Sequence, residues 1–305
     1  MRKLFIILIL AIFLMSSCSK ENIEVSRYSK IPTTSIKITP DTDASPVKSL
    51  SEDYQDPIPV PGKVNSAGAE DSAFITSDGN TLYFFFTPDV KVPIEKQILD
   101  GVTGIWVSKK VNNEFQEPTR VFLQDQGKVA GDGCEFVQDN TMLFCSVREG
   151  YTGIHWFSAE FKDGIWKNWK LVDFNPEYKV GELHIINDEL YFHSDKTGGK
   201  GGLDIWMSKK VDGKWSEPVN VEEVNTAGDE GWPFINQDKT ELWITKDYGL
   251  WRSKKVGEKW TKPELMFSPL AGEASLDNNG NVYFTHHFLN GDKIIEADIY
   301  VAYKK

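Results

Sequence analysis

From about residue 54 onward, apolar residues come in short stretches that alternate with polar positions and are divided by Gly, Asn and Asp. That pattern predicts β-strands joined by tight turns. The stretches recur in a fixed order, and the first of them begins with an acid: Glu70 leads to Phe74, Asp132 to Phe136, Glu182 to Ile186, Glu230 to Phe234 and Glu273 to Leu276. A turn and an aromatic strand follow, as in Asp78-Gly79-Asn80-Thr81-Leu82-Tyr83-Phe84 and Asn279-Gly280-Asn281-Val282-Tyr283-Phe284. Asp-Gly and Asn-Gly are hairpin turns, so the two stretches form neighbouring strands. Next comes a strand with a basic end, as in Gly104-Ile105-Trp106-Val107-Ser108-Lys109-Lys110 and Asp204-Ile205-Trp206-Met207-Ser208-Lys209-Lys210. The last signal, aromatic-x-x-Pro, stands at Phe115/Pro118, Trp215/Pro218 and Trp260/Pro263. Proline suits an outermost strand, because an edge needs fewer backbone donors.

The five acids are separated by 62, 50, 48 and 43 residues. That is the length of a four-stranded propeller blade, stretched once by an insertion at Thr87 to Gly101. The pattern predicts an all-β fold, a five-bladed β-propeller over residues 54–305. The fifth copy ends after its third strand, while Tyr54-Gln55-Asp56-Pro57 supplies a spare aromatic-x-x-Pro. Ring closure by the N-terminal strand is therefore expected, which removes open edges.

Composition adds an exclusion. With 34 basic and 45 acidic side chains the formal net charge is −11, a field that repels phosphates, so no nucleic acid is expected as a partner. At the N-terminus, Arg2 and Lys3 precede the apolar run Leu4 to Met15, which is too short to span a bilayer and fits a signal peptide over residues 1–17. Ser16-Ser17-Cys18 resembles a bacterial lipobox, which implies an acylated Cys18 and a chain tethered to the outer membrane, facing the periplasm or the cell surface. Ser19-Lys20-Glu21 resembles surface-export signals of Bacteroidota. Residues 18–53, rich in Ser, Thr, Pro and Lys, show no period and are expected to be a flexible tether without a fold.

The stretch Phe192-His193-Ser194-Asp195, Gly201-Gly202-Leu203-Asp204-Ile205-Trp206, Trp215-Ser216-Glu217-Pro218 and Val224-Asn225-Thr226-Ala227-Gly228-Asp229-Glu230 resembles the PD40, or WD40-like, repeats of TolB-type propellers. The resemblance covers about residues 54–305 and is weakest around Ile154-His155-Trp156. It implies an envelope propeller that binds or scaffolds and has no standard catalytic set.

By the symmetry of such a fold, the starts of the innermost strands converge on one mouth of the central channel. The candidate ligand site is accordingly the ring Glu70, Asp132, Glu182, Glu230 and Glu273, with His184 and Trp232 placed beside it by period-two alternation. The competing reading pairs these acids with Lys109, Lys209 and Lys254 or with turn amides. His193, His286 and His287 end aromatic strands and are further funnel candidates, and His155 is a fourth histidine, but no spacing supports a metal and no cofactor is expected. Trp106, Trp206, Trp251, Trp215 and Trp260 recur in register and are expected to pack between blades. A two-residue turn at Asp139-Asn140 sets Cys134 opposite Cys145, either as a disulfide or as two buried thiols. The favoured function is a non-enzymatic, lipid-anchored and monomeric binding module or scaffold for a protein or glycan. The alternative is a carbohydrate-active hydrolase or lyase using carboxylates at the funnel.

Overall fold

A computed structural model of the chain describes residues 25–174 and 177–305. The expected signal peptide, Cys18 and the start of the expected tether lie outside the described residues. The fold is nearly all β, with one four-residue α-helix at Ile94–Gln97 and one 3-10 turn at Arg27–Ser29. No described helix is long and apolar enough to cross a membrane.

The strands pair as antiparallel meanders in chain order. The first comprises Ala69–Ile75, Thr81–Thr87, Gly104–Val111 and Thr119–Arg120. Ala130–Gln138, Thr141–Arg148, His155–Lys162 and Ile165–Leu171 make the second. Leu183–Ile186, Glu189–Ser194, Asp204–Val211 and Val219–Asn220 follow, then Gly231–Ile235, Glu241–Lys246, Gly249–Val256 and Glu264–Ser268. The last consists of Ala271–Leu276, Val282–Asn290 and Lys293–Ala302, against which Ile58–Pro59 pairs. Each innermost strand lies beside the next, and Ala271–Leu276 returns to Ala69–Ile75, a ring of the propeller type. The second strands carry the packing between meanders. Phe84, Phe144, Phe192 and Phe284 occupy equivalent positions there and are fully buried. Trp106 joins the cluster of Phe84 and Trp206 that of Phe192, while Trp260 packs in a third with Tyr191, Leu242 and Ile244.

Four innermost strands shift register midway, between Asp71 and Phe74, Gly133 and Phe136, Gly231 and Phe234, and Gly272 and Ser275. Each shift holds a residue in the left-handed region: Ser72, Cys134, Trp232 and Glu273, with φ of 53°, 54°, 50° and 61°. A bulge of this kind re-aims the side chains around it. Cys145 thus faces Gly133 instead of Cys134, although Asp139-Asn140 does form the two-residue turn. The bulged backbone carries Cys134 across to Cys145, and the two form a disulfide with a Cα–Cα distance of 5.4 Å.

The expectation of an unfolded tether through residue 53 fails for residues 25–53. Arg27 is buried and ion-paired to Glu70 at 2.8 Å, Lys37 pairs with Glu296 and Asp298, and Asp43 meets His286 at 2.9 Å. Lys48–Ser49 then adds a short strand outside Glu264–Ser268. Specific ion pairs hold this strap, a cause that hydrophobic periodicity does not register.

Candidate functional site

Aligned on the first residue after the register shift, the five sequence acids fall into two different positions. Glu70, Asp132 and Glu230 stand before the bulge and are fully buried. Glu70 accepts from Arg27 and from the Ser66 hydroxyl, Asp132 from Arg148 and Ser146 at 2.6 Å, and Glu230 from Lys246 and Thr226 at 2.7 and 2.6 Å. These three acids are structural. Their partners are Arg27, Arg148 and Lys246, not the expected Lys109, Lys209 and Lys254, and none of the three lines the central cavity.

Glu273 occupies the bulge position itself, as Ser72, Cys134 and Trp232 do, and Glu182 stands at the equivalent place just before Leu183–Ile186, a strand that pairs without a register shift. Both acids face a central cavity of about 50 Å3 together with His184, Trp232, Ser72, Glu135 and Ser275. Glu273 accepts a hydrogen bond from Ser72 Oγ at 2.6 Å. Glu135 is only 6% exposed, and neither of its carboxyl oxygens has a partner among the described residues. The Trp232 indole Nε1 makes no close hydrogen bond, and the group it acts on is the Glu182 carboxyl.

With no Lys or Arg in the cavity lining, burial governs the titration. Burial, then the Asp71 charge and Glu135, push Glu182 up to about 8, and the Trp232 indole opposes the shift. Burial and the charges of Asp71 and Glu182 hold Glu273 well above the usual carboxyl range, and burial does the same to Glu135. Asp71 moves the other way. Although burial opposes it, the His287 imidazole and the Ser72 backbone N–H hold its carboxyl below the usual value. His287 Nε2 stands 3.6 Å from Asp71 Oδ1.

The remaining histidines are tied to the fold. His184 Nδ1 accepts weakly from the Ile235 N–H at 3.5 Å, and burial lowers it to about 3. His193 accepts from the Trp232 N–H at 3.1 Å and is lowered by burial to about 4, so it lies behind the bulge and outside the funnel. His286 is held by Asp43 in the strap, and His155 pairs with Asp173 at the surface. Among the described residues no group of three or more His, Cys, Asp or Glu is arranged to hold a metal.

Two larger spaces flank the carboxyl cluster. A depression of about 950 Å3 includes Asp71 and His287 with Lys91, Asn290, Asp292 and Lys293. A pocket of about 360 Å3 shares Ser72, Cys134 and Glu182 with the central cavity. Sequence reasoning missed Asp71, Glu135 and the linkage to His287. Asp71 and Glu135 lie beside residues that alternation had placed on the channel, and only the bulges, which carry no sequence mark of their own, turn them inward.

No protein-family model matches the sequence, and no curated protein matches it. Among solved structures the chain is similar to Bacteroides ovatus Xyloglucan PUL GH43B, with 13% identity over 78% of this chain and 52% of that one and a TM-score of 0.47. It is also similar to an α-L-arabinofuranosidase from Lactobacillus brevis, with 9% identity over 77% and 90% of the two chains and a TM-score of 0.47. A subtype N11 neuraminidase-like protein matches at 7% identity over 86% and 94%, with a TM-score of 0.40. The chain spans about half the length of the first of these structures.

Proposed function

We propose that this protein is a carbohydrate-active hydrolase on a five-bladed propeller of the PD40 or TolB type. In this reading the ring is closed by the strand at Ile58–Pro59, and Cys18 anchors the chain to the outer membrane. The observation that carries the proposal is the split titration of neighbouring carboxyls: Glu182 keeps its proton to about pH 8 while Asp71 stays ionised. Environments that drive two carboxyls apart assign an acid and a base. Asp71 takes a proton from a water whose oxygen adds to the anomeric carbon. The bond from that carbon to the leaving oxygen breaks, and Glu182 delivers its proton to that oxygen. His287 orients the Asp71 carboxylate, and the Trp232 indole N–H favours the ionised form that Glu182 reaches on giving up its proton.

The test is a panel of chromogenic pyranosides and furanosides, with plant and bacterial polysaccharides, offered to the purified mature chain. Turnover on one class is expected, lowered about 10²- to 10⁴-fold by Glu182→Gln and by Asp71→Asn in folded protein. Turnover unchanged in both variants, or absent on every member of the panel, counts against the proposal. Fractionation of cells carrying Cys18→Ala checks the anchor: release into the soluble fraction is expected, and persistence in the membrane opposes it.

A second reading, a glycan-binding module without catalysis, is favoured by the size of the central cavity. At about 50 Å3 it is far smaller than the cavity of about 150 Å3 that takes a benzene ring, so it holds water and not a sugar ring. A ligand held above the cluster is then bound intact, and tight glycan binding with no turnover supports that reading.

A further inference from the structure

We infer that the 360 Å3 pocket beside Glu182 receives an aromatic leaving group, so that the substrate is a sugar carrying an aromatic aglycone. The inference rests on the hydrolase reading and deepens it.

The pocket is walled by Phe85, by Ile94 and Ile98 of the insertion, by Val147 and Ile154, and by the Cys134–Cys145 disulfide. Ile94 and Ile154 are 60% and 70% exposed, so large apolar side chains stand open to water on both banks. A Cβ on Gly131 would lie 2.7 Å from Ile98 Cγ2, and one on Gly133 would lie 3.3 Å from the Phe85 ring, so these two glycines let the apolar walls pack close against the inner strand. Of the polar groups in the lining, Asp132 and Ser146 are engaged by Arg148, Thr103 by Asp100 and Ser72 by Glu273, while Glu95 is exposed. Glu182 remains, at the inner end, where the pocket joins the carboxyl cavity.

Position selects the occupant. The pocket opens beside Glu182, whereas Asp71 borders a separate depression whose lining includes Lys91, Asn290, Asp292 and Lys293, with Phe85 bordering both. A group that takes its proton from Glu182 departs on the Glu182 side, into apolar walls, and the sugar hydroxyls are left to the charged and amide groups of the depression. The volume suits a substituted ring, since a dry cavity of about 150 Å3 already accepts benzene.

The experiment measures 2-naphthol binding to the mature chain by fluorescence, and kcat/KM for 2-naphthyl against methyl glycosides of the sugar found to be cleaved. Wild type is expected to bind 2-naphthol and to prefer the naphthyl glycoside. Val147→Phe and Ile154→Trp, both at solvent-open positions, are expected to weaken binding about tenfold and to erase the preference, whereas Glu182→Gln keeps 2-naphthol binding. Equal kcat/KM for methyl and naphthyl glycosides, or 2-naphthol binding that neither filling variant affects, overturns the inference and leaves the hydrolase reading standing. Naphthol binding that the filling variants remove, with no glycoside cleaved, keeps the aromatic site and overturns the hydrolase reading instead.

Discussion

Glu230 and Trp232 stand two residues apart on one strand, where strict alternation puts both on the channel face. Trp232 adopts φ 50° and the register shifts there, so Trp232 meets the cavity while Glu230 turns back to Lys246 and Thr226. Glu230 and Glu182, read from the sequence as equivalent, therefore have opposite roles. Glu230→Gln is expected to cost about 1–3 kcal/mol in urea unfolding, because it weakens the bonds of a buried group and leaves Lys246 short of its counter-charge. Glu182 has a folded pKa of about 8, above the unfolded value. Between those two values the native state holds a proton that the unfolded chain has lost, so its contribution is full at low pH and fades as pH rises toward 8. Glu182→Gln is expected to flatten that decline and to melt higher than wild type at pH 8; a lower melting temperature there contradicts the assignment. The acids themselves were legible because a Gly or Ala stands one or two residues before each at repeat spacing. Their partners were not, since Arg27 and Arg148 lie on other elements and no repeat marks them.

At the scale of elements, the meanders were readable from turns and aromatic strands, whereas the strap at residues 25–53 was not. Its residues are polar and aperiodic, and it is held by Arg27 with Glu70, Lys37 with Glu296 and Asp298, and Asp43 with His286. Asp298 shows how much depends on the strap: burial drives its carboxyl up to about 8, with Lys37 opposing. Deleting residues 19–50 strips the counter-charge from Glu70. Loss of one partner from a buried pair costs about 3–5 kcal/mol, so a clearly lower melting temperature is expected. A deletion that melts like the full mature chain would show the strap to be dispensable.

At the scale of the molecule, the ring of innermost strands delivers Glu135, Glu182 and Glu273 from separate meanders to one cavity with no Lys or Arg in its lining, and sets Asp71 near enough for its charge to raise Glu182 and Glu273. A larger depression with Asp71 and an apolar pocket with Glu182 adjoin this cluster. The repeat spacing announced a convergence of acids, and the bulges chose which acids take part. A fold that holds carboxyls together in this way must keep some of them protonated at neutral pH, and the proposed chemistry depends on Glu182 being one of them. Titration of 13Cδ-labelled glutamates by NMR reads this directly. The account predicts a carboxyl signal with a midpoint near pH 8 that disappears in Glu182→Gln; a Glu182 signal titrating in the ordinary range, at about 4.3, would contradict it.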